Sequence, residues 1–264
     1  MINSLTNQFN ERLQNGFEFL GGSFLLAKNS LLALWKGPFH GKLLVNQIFN
    51  AGSKSFSLVF ITSAAIGMVM TLQFGIGLQK FGGTLYVPRI VALSFVRELG
   101  PVFTGLMIAG RVGAGIASEV GSMAVTQQID AIRALGTSPI AKIVVPRILG
   151  TMIALPFLTV FANLVGMIGA VFVGASELGL EPEFFISKIL ETVTLSDYLS
   201  GLVKSVFFAF FISVSGCYYG MRVRKGTQDV GLATTKTVVV ASILILVGDF
   251  FLTKFIFSLE KWIL

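Results

Sequence analysis

The sequence predicts an all-α integral membrane protein: a helix lying in the membrane interface, followed by five spanning helices. Three observations carry that prediction. Of 264 residues, 54% are hydrophobic and only 12% charged, where soluble domains carry about 25% charge. Mean hydropathy is +0.82. The apolar residues gather into five stretches of spanning length, and the connections between them alternate in charge. This composition excludes a disordered chain, a disulfide framework and a water-soluble enzyme. The formal charge of +7 is scattered around apolar runs, which suits positive membrane edges and not nucleic acid.

Residues 1–50 come first. Phe9, Leu13, Phe17 and Leu20 fall at helical spacing among Glu11, Arg12 and Glu18, a pattern that suits a helix in the interface; a soluble amphipathic cap on the bundle is the alternative. Gly37-Pro38 is expected to end that helix. Residues 51–264 form the spanning domain. Its spans are read at Ser55–Gln79, Ile90–Gly110, Ile148–Ser176, Ser205–Met221 and Thr237–Thr253, interrupted only by Arg97, Glu98 and Asp249. Lys28, Lys36, Lys42 and Lys54 precede the first span without an acid among them. Arg111, Arg133, Lys142 and Arg147 fill the second connection, and Arg222, Arg224, Lys225 and Lys236 the fourth. The loop at about 177–199 carries Glu177, Glu181, Glu183, Glu191 and Asp197 against Lys188. Five spans with a cytoplasmic amino terminus and an outer carboxyl terminus give this alternation.

Small residues recur every four positions in Ala109, Gly113, Ala117, Gly121, in the adjacent row Gly110, Ala114, Ser118, Ser122, and in Ala162, Gly166, Ala170, Gly174. Such rows let membrane helices approach closely. Five spans make a narrow bundle, so a homodimer sharing one cavity is expected; which row faces the partner is open. Arg97 and Glu98 lie about 10 to 12 Å inside the second span, where ionisable groups face a cavity or a partner. Pro101 should bend the helix beside them. The expectation is an Arg97–Asp249 pair, Glu98 left free to face the cavity, and Lys204 at the outer mouth meeting an anionic headgroup.

Catalytic residues and a metal site are not expected. Gly37 to Lys42 is one residue short of a phosphate loop, with Leu43 where Ser or Thr is required. His40, the one histidine, precedes the spans, away from any membrane serine that it might activate. The acidic cluster that holds metal ions in lipid-headgroup transferases is missing from the spans. Between the second and third spans, Ile129, Ile132 and Leu135 give a short amphipathic helix, at about 125–138, closed by Gly136 and followed by Ser138-Pro139. It either docks a soluble partner or rests on the membrane.

The run ALSFVRELGPVFTGLMIAGRVGAGIASEVGSMAVTQQIDAIRALGTSPIAKIVVPR, starting at Ala92, resembles the core of the MlaE (YrbE) family of ABC-transporter permeases. The specific blocks are R-E-L-G-P at Arg97–Pro101, A-G-R at Ala109–Arg111 and E-x-G-x-M from Glu119, and the likeness extends from about Asn46 to Phe255. It implies a homodimeric permease of the bacterial inner membrane that moves phospholipid between that membrane and the periplasm. The implied partners are a cytoplasmic ABC ATPase dimer, which supplies ATP and Mg, and an MCE-domain lipid-binding protein on the outer side. By position, Met70, Leu78, Phe81, Glu98, Leu99 and Lys204 are implied lipid-pocket residues. Gln127, Gln128, Asp130, Arg133, Leu135 and Ser138 are implied to lie on a coupling helix facing the ATPase. The chain has Thr126-Gln127-Gln128 where the family has T-E-Q, and Ser138 where it has an acid, so the usual charge pairing with the ATPase is altered. A scaffold that anchors an ATPase and an outer lipid-binding protein without holding substrate is the alternative function.

Overall fold

The computed structural model describes residues 2–36, 41–224 and 226–263. In chain order the helices are α1 (Ile2–Lys36), α2 (Gly41–Gln79), α3 (Thr84–Val125), α4 (Gln128–Ala134), α5 (Ile140–Ser176), α6 (Pro182–Thr192), α7 (Leu195–Met221) and α8 (Thr227–Ile263). Five of them, α2, α3, α5, α7 and α8, are long and apolar enough to cross a membrane. A helix pairs most of its backbone polar groups within itself, the condition for standing in hydrocarbon.

Every spanning helix is longer than its uncharged stretch. The expected loop at about 177–199 contains α6 and the first turns of α7. The start of α7 is fixed by a capping box: the Thr194 hydroxyl accepts from the Asp197 N–H, and the Asp197 carboxylate accepts from the Thr194 N–H at 2.9 Å. Charges marked the edges of the hydrocarbon run, not the ends of the helices, because ion-paired turns continue a helix beyond it.

Glycine sets how closely the helices pack. A Cβ on Gly67 of α2 would stand 2.0 Å from the Gly166 carbonyl oxygen of α5, and one on Gly201 of α7 would stand 2.4 Å from the Val96 carbonyl of α3. Backbones in such contact gain dispersion and weak polar contacts without a hydrophobic drive. Three apolar clusters stack along the bundle. The middle one joins Val59, Ile108, Leu155, Phe208, Ile212 and Ile245. A second, towards α4, includes Ile116, Ile129, Ile143 and the fully buried Cys217, and a third, towards α6, includes Val87, Val91 and Phe185.

α1 is anchored through Phe19, which stacks on Tyr219 at 5.4 Å and meets Tyr218 edge-on at 5.2 Å. The Tyr218 hydroxyl donates to the Glu18 carbonyl at 2.9 Å. Phe17 and Leu20 of the expected apolar stripe are both exposed, at 71% and 58%, and Leu20 borders a cleft between α1 and α7. The Phe9 and Leu13 side chains, the Gly37-Pro38 stop and His40 lie outside the described residues.

Candidate functional site

The site begins with a proline. Pro101 has no N–H to offer the Arg97 carbonyl one turn earlier. The chain responds with a π turn at Phe95–Leu99, in which the Gly100 N–H reaches back to the Phe95 carbonyl. Gly100 leaves room for the Asn163 side chain, since a Cβ there would lie 2.0 Å from Asn163 Oδ1 and 3.0 Å from the Phe95 carbonyl oxygen. Lys204 of α7 donates to the Arg97 carbonyl at 3.3 Å, supplying from another helix what Pro101 lacks. π turns of this kind cluster at functional positions.

The same turn separates two adjacent charges. Arg97 pairs with Asp197 at 2.8 Å and Glu260 at 3.4 Å, its guanidinium 4.5 Å over the Phe257 ring. Glu98 pairs instead with Lys204, which also reaches Asp249 at 3.1 Å and the Thr253 hydroxyl at 2.7 Å. Thr253 in turn donates to the Asp249 carbonyl at 2.7 Å. Two ion-paired groups thus tie α3 to α7 and α8.

Three expectations are corrected by this geometry. The Arg97–Asp249 pair does not form, because Glu260 lies about 16 Å further along α8 than Asp249 and Arg97 is directed to that end. Glu98 is not free: Lys204 holds it, although 35% of its side chain remains exposed. Lys204 is not at an open mouth but enclosed by Glu98, Asp249, Thr253 and the Arg97 carbonyl, 1% exposed. A lone ammonium in hydrocarbon is costly, so it takes every acceptor within reach. Asp197 was legible as the end of a T-x-x-D cap; Glu260 and Thr253 carried no signal without knowing which helices meet.

Leu99, next to Glu98 on α3, is half-buried, as is Met70 on α2. Leu78 packs against the cluster around Val87 and Phe185, while Phe81 stands 86% exposed in the turn between α2 and α3. The rows of small residues sort themselves. Ala109, Gly113, Ala117 and Gly121 are buried, Gly113 facing Ile212 and Gly121 facing Val223. Ala162, Gly166, Ala170 and Gly174 are buried against α2, Phe95 and Phe185. In the remaining row Gly110 and Ser122 are exposed, and a Cβ on Gly110 or the neighbouring Gly115 would meet nothing within 4 Å.

At the opposite end, α4 is entered through Gln127 in a left-handed conformation, φ 57°, and closed by Gly136 at φ 72°. The Gly136 and Thr137 N–H groups bond the Arg133 and Ile132 carbonyls, the Schellman arrangement that glycine there predicts. Ile129 is buried, Ile132 half-buried, and Leu135 is turned out at 80% exposure, so the apolar stripe seats α4 through Ile129 and leaves Leu135 free. Asp130 and Arg133 pair at 3.1 Å on the exposed face. Gln128 is exposed, and the Ser138 hydroxyl accepts from the Ala141 N–H at 3.4 Å, opening α5. Gln127, Asp130 and Arg133 face Met221 and Arg224 across a polar cleft of about 440 Å³. Beneath it Arg147 of α5 pairs with Glu119 of α3 at 3.0 Å. Among the described residues no group of three or more His, Cys, Asp or Glu side chains is placed to hold a metal ion.

Compared with known proteins, residues 44–255 match the family described as Permease MlaE. The chain belongs to the MlaE permease family. The match takes in all five spanning helices up to Phe255, together with the ion cluster's Glu98, Lys204, Asp249 and Thr253, and excludes α1. Among relatives of this MlaE-family chain, a probable ABC transporter permease protein of Rickettsia conorii is 35% identical over 258 residues, covering 98% of this chain and 100% of its own. The intermembrane phospholipid transport system permease protein MlaE of Haemophilus influenzae is 31% identical, covering 98% and 99%. The chloroplastic protein trigalactosyldiacylglycerol 1 of Arabidopsis thaliana is 33% identical, covering 89% and 67%.

Proposed function

We propose that this chain is the permease subunit of an ATP-driven phospholipid transporter of the bacterial inner membrane, acting as a homodimer. The observation that carries the reading is the unpaired face of α3. Leu99, Phe103, Gly110, Ala114, Ser118 and Ser122 succeed one another at helical spacing, bulky towards α6 and small towards α4. Two copies meeting along Gly110 to Ser122 approach closely at the α4 end and diverge where Phe103 and Leu99 stand. That shape is an apolar cavity opening towards the α6 end. Acyl chains sit in it against Leu99, Met70, Leu78 and Phe81, where apolar walls cost little desolvation. Glu98 lines the polar edge, and Lys204 acts on it from behind by fixing its carboxylate. The name of the Haemophilus relative supports phospholipid as cargo.

The α4 end is cytoplasmic in this reading, since Arg133, Lys142, Arg147, Arg222 and Arg224 gather there while Glu177, Glu181, Glu183 and Glu191 gather at the other. The amino terminus is then cytoplasmic and the carboxyl terminus periplasmic. ATP and Mg bind in a separate ABC ATPase dimer, which docks on Gln127, Gln128, Asp130, Arg133, Leu135 and Ser138. An MCE-domain protein receives or delivers lipid at the α6 end. Movement of α4 reaches the dimer face through α3 and the Glu119–Arg147 pair, a rigid-body switch between two packed arrangements.

The test is purification from native membranes in mild detergent, with mass spectrometry of everything retained. An ATPase, an MCE-domain protein and stoichiometric phospholipid are the expected result. Protein partners without lipid between the permease copies would replace the transporter with a scaffold.

A further inference from the structure

A second apolar cleft, of about 650 Å³, lies between α1 and the α7–α8 wall, away from the α3 face. Leu20, Phe24 and Leu31 of α1 line one side, and Phe210, Phe211 and Leu244 the other. Its walls are interrupted by three polar residues, Ser23, Ser215 and Lys28. Serines in the helices of this chain usually return their proton to a carbonyl one turn back, as Ser30, Ser55 and Ser213 do at 2.6 to 2.8 Å. Ser23 and Ser215 do not: both hydroxyl oxygens are buried without a hydrogen-bond partner among the described residues, and Ser215 is 0% exposed. A buried hydroxyl left unmatched in apolar surroundings is unfavourable. Lys28 is exposed and, among the described residues, carries no ion pair.

An occupant that completes this cleft brings a long apolar body, hydrogen-bond acceptors for two hydroxyl donors, and a negative group for an ammonium. A diacyl phospholipid has all three: acyl chains, two ester carbonyls and a phosphate. The depth agrees. α7 has 27 residues, about 40 Å, and overhangs a hydrocarbon core of about 30 Å by about 5 Å at each end. Ser215 stands six residues before Met221, about 9 Å from that end, and so lies just inside the hydrocarbon boundary, where ester groups reside. We propose that the cleft seats one phospholipid of the leaflet in which α1 lies, its esters on Ser23 and Ser215, its phosphate on Lys28 and its chains against Phe210, Phe211 and Leu244. This lipid is a fixed part of the protein that mortars α1 to the bundle, distinct from transported cargo. The proposal rests on α1 lying in the interface, as read above, and not on the transport cavity.

The experiment uses the whole complex in vesicles of phosphatidylethanolamine and phosphatidylglycerol containing a trace of phosphatidylethanolamine with a photoreactive diazirine at the acyl end. After re-extraction and exhaustive detergent washing, illumination and peptide mapping locate the retained label. The expected result is label on Phe210, Phe211 or Leu244 that survives washing, while label on the open Phe172 face is washed away. Ala27→Trp, which fills the cleft, should lower the retained label about tenfold. Lys28→Glu, at an exposed position that leaves folding untouched, should lower it about fivefold. Label at Leu99 should be unchanged in both variants. Label that washes out of the cleft, that is indifferent to Ala27→Trp and Lys28→Glu, or that is displaced there by a partner's transmembrane helix overturns the proposal. Loss of label at Leu99 alone in the wild type counts against the transport cavity and leaves this site standing.

Discussion

Replacing Lys204 by methionine removes the one cation between Glu98 and Asp249 while keeping a side chain of similar length. Two carboxylates then face each other in the membrane, and the Arg97 carbonyl loses the donor that stands in for Pro101. Breaking a buried ion pair from one side costs about 3–5 kcal/mol. Glu98 and Asp249 keep 35% and 21% of their side chains exposed, so the lower end, about 3 kcal/mol, is the appropriate figure. At about 2–4 °C per kcal/mol for a chain near this size, the melting temperature in detergent should fall by about 6–12 °C. Size-exclusion of heated samples reads the loss directly. The decisive comparison is the triple variant Lys204→Met with Glu98→Gln and Asp249→Asn, which removes the stranded charges and should recover at least half of the loss. A drop under about 2 °C for the single variant, or no recovery in the triple one, refutes the view that Lys204 holds this cluster together.

The other expectations are more local. Leu99→Arg should abolish co-purified phospholipid while the assembly stays intact, read by mass spectrometry of the purified complex; undiminished lipid contradicts the cavity wall. Gly67→Ala forces a methyl against the Gly166 backbone and should sharply lower the yield of folded protein. Gly110→Trp, on the open row, should leave the folded subunit intact and shift it from dimer to monomer in light scattering. Asp130→Lys on α4 should remove the ATPase from pull-downs by about tenfold or more without changing thermal stability, as expected of an exposed pair. The Lys188 hydrogen bond, with Arg89 beside it, holds the Glu191 carboxyl below its ordinary range. A depressed carboxyl supports the fold above that range and ceases to as pH falls through it. The α6–α3 tie should therefore hold through the ordinary glutamate range and loosen only as pH falls below it, as spin-label distances between the two helices would report.

Much of the fold could be read in the chain because hydrocarbon imposes a strong length and charge filter: the five spans, the turn at Gly136 and the Phe185-side acids all left marks in composition. The site was less legible. That Arg97 and Glu98 must diverge followed from helix geometry, but their partners depended on which turn of α7 and α8 lies beside Pro101. The π turn there adds a rotation that periodicity does not encode. The three small-residue rows looked alike in sequence, and only packing distinguished the two used within the chain from the one left open. Phe19, which anchors α1, was missed because the apolar stripe around it pointed attention to Phe17 and Leu20.

The Lys204 contact to the Arg97 carbonyl also bears on how the protein is made. Synthesis delivers α3 to the membrane about 70 residues before α7 begins, so throughout that interval the carbonyl that Pro101 leaves without an N–H has no Lys204 to match it. The Arg97 carbonyl therefore meets its side-chain donor only on the arrival of α7, and a nascent chain arrested before Lys204 leaves that carbonyl unmatched. Quality control that recognises exposed polar backbone in the bilayer has, in that carbonyl, a built-in sign that assembly is incomplete.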